Sequence, residues 1–186
     1  MPFIETGLPG LLVFEPMVFE DSRGFFFEAY NQKIFGGAGI ECQFVQDNQS
    51  RSTYGVIRGL HYQVAPFAQA KLVRVLVGSI LDVAVDIRKG SPTFGKVFAI
   101  ELSADNKKQL FIPAGFAHGF SVLSEVAEVM YKCDQFYSKA NEHGIIYNDA
   151  TLNIDWQIPL EKAIISDKDL VLPGLANCVN PFEFKG

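Results

Sequence analysis

Cysteine is scarce in this chain. Cys42, Cys133 and Cys178 are scattered, odd in number and form no CxxC pair. That excludes a disulfide scaffold and points to a reduced, cytoplasmic setting. Long apolar runs are absent as well, so no segment is expected to cross a membrane. The opening stretch MPFIETGLPGLLVFEP lacks a basic start and a sustained apolar core, and no signal peptide is expected. Positive charge is in short supply: 16 Lys and Arg stand against 21 Asp and Glu, for a net charge of −5. A nucleic-acid binder working by bulk electrostatics is thereby disfavoured. A small phosphorylated ligand is not, because a few local arginines suffice for it. The sequence has no tandem repeat, no low-complexity segment and no glycine-rich dinucleotide fingerprint, so no redox cofactor is suggested.

What remains is ordinary for a globular protein, with 48% hydrophobic and 20% charged residues. The 186 residues fit one domain, residues 1–186, long enough to bury a core without staples. Seventeen Phe suggest a β-rich fold with a wide interior. Strands are expected at Leu11–Phe14, Phe25–Glu28, 43–49, Lys96–Leu102, Gln109–Ile112, Gly119–Leu123 and Glu128–Cys133, with turn residues at short intervals between them. Asn31–Phe35 reads as a helical turn stopped by Gly36 and Gly37. The tail from Tyr137 is irregular, with short extended structure at Asp155–Ile158 and a brief helix from Pro159. The clearest signal is KLVRVLV and ILDVAVDI on either side of Gly78-Ser79, which reads as a β-hairpin. Such a turn would set Val75 against Asp82 and Lys71 against Asp86. One face then carries Lys71, Val73, Val75, Val77, Ile80, Asp82, Ala84 and Asp86. The other carries Leu72, Arg74, Leu76, Leu81, Val83, Val85 and Ile87. Both faces are largely apolar, so both need cover, from a second subunit or from the tail after Tyr137. Many short strands and few helices indicate an all-β jelly roll or barrel, with its few short helices near the termini.

Two spacings carry chemistry. Gly55-x5-His61 and Pro113-x-Gly115-x-x-His118 resemble the two halves of the cupin signature. The usual metal-binding cupin has a second histidine where Gln63 stands and a glutamate near Lys71. Two imidazoles and an ammonium make a poor divalent-metal site, so no metal is expected. A charged residue such as Lys71, heading a strand that otherwise reads as core, needs a job or a partner.

Seven segments in order, FEDSRGFFFE from Phe19, QDNQS from Gln46, GVIRGLHYQ from Gly55, QAKLVRVLVGSILDVAVDIRKGSPTFG from Gln69, IPAGFAHGF from Ile112, MYKCDQFYSKANEHGI from Met130 and ISDKDLVLPGL from Ile165, span nearly the whole chain. Together they resemble the dTDP-4-dehydrorhamnose 3,5-epimerase family, a metal-free branch of the cupins. The resemblance implies a cupin-type jelly roll and cofactor-free epimerisation of a dTDP-4-dehydro-6-deoxy-hexose at C3 and C5. It assigns His61 as the base, Asp169 as its carboxylate partner and Tyr131 as the proton donor. Lys71 would stabilise negative charge on a substrate oxygen, and its plainer reading is an ion pair with Asp86. For Asp169 the plainer reading is a helix cap or loop charge, and for Tyr131 it is strand packing. Arg23 and Arg58 match positions holding the diphosphate, and Tyr137 matches the residue stacked on the thymine ring. Glu28, Gln46, Asn48, His118, Glu142 and Lys168 match other ligand contacts. Arg58 and His61 are three apart, so both reach a ligand only if Gly59 marks a bulge or the strand twists sharply there. The family also implies a homodimer whose N-terminal strands, within residues 1–50, are shared, so that Arg23, Phe26 and Glu28 reach the neighbour's nucleotide. The alternatives are epimerisation at one carbon only, a metal-dependent cupin enzyme, and a non-catalytic nucleotide-sugar-binding cupin.

Overall fold

Residues 2–185 are described by the structure, a computed structural model. Strands β1 (Phe3–Glu5) and β2 (Leu12–Phe14) precede a separate hairpin of β3 (Val18–Asp21) and β4 (Gly24–Phe27). Helix α1 (Gln32–Gly37) follows, then β5 (Gln46–Thr53), β6 (Ile57–Gln63), β7 (Lys71–Val77), β8 (Ser79–Asp86) and β9 (Val97–Ser103). The later elements are β10 (Gln109–Ile112), β11 (Phe116–Val122), β12 (Val126–Cys133), β13 (Glu142–Gly144) and the four-residue helix α2 (Asp167–Leu170). One sheet runs in the order β1-β2-β10-β7-β12-β5, and the other β13-β6-β11-β8-β9. Every pairing within these sheets is antiparallel. The all-β jelly roll expected from the turn spacing is therefore present.

The expected hairpin is not. β7 belongs to the first sheet and β8 to the second, so Gly78 turns a corner between sheets instead of joining two paired strands. Val75 pairs with Val129 and Asp82 with Phe120 and Ile100. Lys71 does not meet Asp86, whose carboxylate is held by Arg88 at 2.8 Å and by Ser91 and Thr93. The division of faces still holds, because alternation survives a change of partner. Val73 and Val75 meet Ile80 and Ala84 in the central core between the sheets.

The outer faces are covered by the chain itself. Leu81, Val83, Val85 and Ile87 pack under Ile145, Leu152 and Trp156 of the tail. Trp156 is anchored at both polar ends: its Nε1–H donates to the Tyr147 carbonyl at 2.8 Å, and its own carbonyl accepts from Ser121 Oγ at 2.7 Å. On the other sheet, Leu72, Phe14 and Phe111 are capped by Phe35 and Ile40. Phe35 sits among the rings of Phe3, Phe14 and Tyr30, at centroid distances of 4.9–5.0 Å. The helix that delivers it is capped by Asn31, whose side chain accepts from the Lys33 and Ile34 amides. It runs through Gly36 and ends at Gly37, with Ala38 as its C-cap and Gly39 beyond it at φ +81°. The tail's cover makes a prediction. Trp156→Ala should lower unfolding free energy by about 3–5 kcal/mol, the usual cost of emptying a buried aromatic site. Urea unfolding reads it, and a loss below about 1 kcal/mol would mean that the tail docks without Trp156.

Candidate active site

The second sheet supplies two histidines from neighbouring strands. His61 on β6 pairs directly with His118 on β11. Between this pair and the next, Phe120 with Arg58, the register slips, because three steps on β6 match two on β11. The bulge anticipated at Gly59 is present. Gly59 has φ +110°, and a Cβ there would lie 2.6 Å from the His118 carbonyl and 2.7 Å from the Gly119 Cα. As a result Ile57 and Leu60, also three apart, both pack on the outer face. Arg58 and His61 both line the same cavity. The Arg58 Nε donates to Ser52 Oγ at 3.1 Å, which fixes the guanidinium's direction.

That cavity, about 480 Å³, is also lined by Lys71 and Tyr131 from the first sheet and by Ser166, Lys168 and Asp169. A second hollow of about 290 Å³ shares His61, Lys71 and Tyr131 with it and adds Gln46, Asn48, Tyr137 and Glu142. Eleven of the fourteen positions expected to serve the site lie around these joined hollows, while Arg23, Phe26 and Glu28 do not. Arg23 and Phe26 belong to the exposed β3–β4 hairpin, where Arg23 pairs with Asp21 of its own turn. Glu28 follows that hairpin and is exposed.

His61 Nε2 lies 2.7 Å from Asp169 Oδ1. Asp169 is 3% exposed, and its other oxygen accepts the Gly59 amide at 3.2 Å. Burial alone would raise its pKa. The His61 hydrogen bond and charge, the Gly59 amide and Lys168 outweigh burial and hold the carboxyl below the usual carboxylate range. An ionised carboxylate only accepts, so the proton between the pair sits on Nε2, and in the neutral imidazole the Nδ1 lone pair is left free. Asp169 reaches this place from α2. Ser166 caps that helix by accepting the Asp169 amide, and Ile164, two residues before it, is bonded to Gly55 and Ile57 beside β6. The carboxylate is therefore both a first-turn helical residue and the histidine's partner.

Tyr131 and Lys71 face the histidines from the opposite sheet. Lys71 pairs with Cys133 on β12, and its Nζ is 5.9 Å from the Tyr131 ring centroid. Burial pushes the Tyr131 phenol above its ordinary pKa, assisted by Cys133 and Glu142 and opposed by Arg58. Burial pulls the Lys71 ammonium below its own, against the raising effect of Cys133, Asp82 and Glu142. At the rim Tyr137 donates to Glu142 at 3.0 Å, and Lys168 holds the same carboxylate oxygen. The Tyr137 amide is held by Gln46, whose own amide donates to Asn48.

Two residues gain a place that the sequence did not assign. Gln63, standing where metal-binding cupins have a histidine, spends its amide on the Phe67 and Phe136 carbonyls and the Ser138 amide. It anchors the segment that presents Tyr137. Asp82, fully buried on β8, accepts from His118 Nε2 at 2.7 Å. A carboxylate amid LDVAVDI was the available signal for it, since such a charge needs a partner. No group of three or more His, Cys, Asp or Glu side chains converges among the described residues.

Fold and pocket together define a class, a cupin-type jelly roll whose interior is equipped for acid–base chemistry. The chain belongs to the dTDP-4-dehydrorhamnose 3,5-epimerase family, whose profile matches residues 5–177. It is 58% identical over 171 residues to the dTDP-4-dehydrorhamnose 3,5-epimerase of Shigella flexneri, covering 91% of this chain and 93% of that one. A dTDP-6-deoxy-D-glucose-3,5-epimerase of Legionella pneumophila, solved in complex with dTDP-4-keto-L-rhamnose, superposes with a TM-score of 0.94. That match is 45% identical over 99% of this chain and 98% of the other. A 3′-monoepimerase of Streptomyces bikiniensis, solved in complex with dTDP-quinovose, has a TM-score of 0.84 at 33% identity, covering 91% and 86%.

Proposed function

We propose that this protein converts dTDP-4-dehydro-6-deoxy-D-glucose to dTDP-4-dehydro-L-rhamnose by inverting C3 and C5, as an isomerase that needs no cofactor. The observation that carries this reading is the opposition of His61 and Tyr131. They enter one cavity from different sheets, with Lys71 beside the tyrosine. The C4 ketone acidifies the hydrogens on C3 and C5. His61 takes one of them on Nδ1, and the electron pair moves onto the C4 oxygen as an enolate. Lys71 stabilises that oxygen, and Tyr131 returns a proton from the other side of the ring, which inverts the carbon. Arg58 and His118 are suited to the substrate's phosphate and sugar oxygens, and Gln46, Asn48, Tyr137, Glu142 and Lys168 to the nucleotide end. The test is NMR of the product formed in deuterated water, where deuterium is expected at both C3 and C5. The 3′-monoepimerase likeness motivates a second reading, inversion at one centre, and label at a single carbon would establish it instead.

The active unit is a homodimer in the cytoplasm, with residues 1–50 reaching across to the partner. Support comes from the β3–β4 hairpin. It pairs with neither main sheet and leaves Phe19, Phe25 and Phe26 59–71% exposed beside Arg23. The apolar outer faces no longer argue for it, since the chain covers both. No helix among the described residues is long and apolar enough to cross a membrane. Arg23→Ala and His61→Ala subunits, each weak or inactive alone, should regain activity when mixed. Random exchange leaves about one site in four with both residues. No recovery after verified exchange would mean that each chain builds its site alone.

A further inference from the structure

We propose that Asp82 is a positioning residue for this reaction, a single carboxylate that anchors His118 and serves as the counter-ion of Lys71. Asp82 lies between Ile80 and Ala84, whose side chains enter the central core, so its side chain points into the interior as well. It is fully buried, and Oδ1 takes the His118 Nε2–H. Oδ2 is the one buried side-chain oxygen or nitrogen without a hydrogen-bond partner among the described residues. Lys71 enters the same interior from the opposite sheet, on the face shared with Val73 and Val75. Its ammonium makes no ion pair within 4.0 Å among the described residues. A buried carboxylate with one oxygen free of hydrogen bonds and a half-buried ammonium without an ion pair thus face one interior, where charges attract more strongly than at the open surface.

The other groups around Lys71 do not replace Asp82. Cys133, opposite it on β12, has its thiol pushed up by burial and is neutral near pH 7. Tyr131 on the same strand is likewise held in its neutral form. Glu142 of β13 is already taken by Lys168, and Asp169 of α2 by His61 of β6. His118 of β11 and Arg58 of β6 bring no negative charge. Asp82 is therefore the anion left to favour the charged form of Lys71, which the developing enolate requires. The inference rests on the epimerase reading for its consequence, but not for its first test.

Asp82→Asn keeps the shape and removes the charge. In ligand-free protein carrying ¹³C-labelled lysine, the Lys71 Cε signal, assigned by its loss in Lys71→Arg, should titrate about one unit lower or more in Asp82→Asn. The alkaline limb of kcat should move down in pH with it, because Lys71 then loses its proton earlier. An unchanged Lys71 midpoint overturns the proposal even if turnover falls, since Asp82 would then act through His118 alone. If Asp82→Asn does not fold, adding Lys71→Met should restore folding, because removing both members of a buried pair costs less than removing one. A double variant no better folded than Asp82→Asn also overturns the proposal. Since the Lys71 titration needs no substrate, its outcome is independent of which sugar carbon the enzyme inverts.

Discussion

His61→Ala is expected to lower turnover by roughly 10²–10⁴-fold, the usual contribution of a positioned general base, while the protein remains folded. Among the described residues the side chain makes one polar contact, to Asp169, and that carboxylate keeps the Gly59 amide as a donor. Water can enter the vacated space, because the imidazole is 26% exposed in the parent. His61→Gln gives a stricter comparison, since an amide can still donate toward Asp169 but cannot accept a proton from carbon. Both variants should lose deuterium wash-in as well as inversion, because no enolate forms without the base. Asp169→Asn should also cut kcat, with a smaller effect on KM. Its amide leaves the imidazole a weaker base and no longer fixes the proton on Nε2. The Asp169 interaction has a pH direction. Its pKa is depressed in the folded state, so its stabilising effect is complete above the unfolded carboxylate value and fades as pH falls through the folded one. Near-normal turnover in His61→Gln would remove His61 from the base role.

The sequence made the central strands legible and their partners illegible. KLVRVLV and ILDVAVDI alternate so that each residue's face is readable. The same alternation serves a hairpin or a corner between two sheets, and Gly78 suits either. Both faces of each strand are largely apolar, so no polar face broke the tie. β5 was harder because QDNQSRST is polar, as an edge strand with alternate residues in solvent can be. Its start was set too early and its end too soon. The irregularity at Gly59 followed from the spacing of three between Arg58 and His61 once the family likeness gave them a shared ligand, as either a bulge or a sharp twist. Asp169 was different. It meets His61 across 108 residues of sequence, from a short helix in an irregular tail. No local pattern reports such a closure, and only the likeness of ISDKD to a known family did. For the β3–β4 hairpin, a single chain leaves Arg23 and Phe26 away from the cavity.

Tyr131→Phe is expected to separate proton removal from inversion. The substitution keeps the ring against the core and deletes an oxygen that makes no hydrogen bond among the described residues. Stability should therefore change by no more than about 0.5 kcal/mol. His61 and Lys71 remain, so the enolate still forms. The proton then returns from His61 on the side it left, after exchange with solvent through the partly exposed imidazole. Deuterium should enter substrate with retained configuration at a rate within about tenfold of the parent, while inversion falls by about 10²-fold or more. The pH dependence supplies a second signature. Burial raises the Tyr131 pKa and lowers that of Lys71, so it moves loss of the Lys71 proton to lower pH and loss of the Tyr131 proton to higher pH. If Lys71 sets the alkaline limit, that limb should be the same for wash-in by the variant and for inversion by the parent. NMR of recovered substrate in deuterated water measures label and configuration together. Inversion at the parental rate would show that water or another side chain donates the proton. Loss of wash-in together with inversion would show instead that Tyr131 is needed to form the enolate.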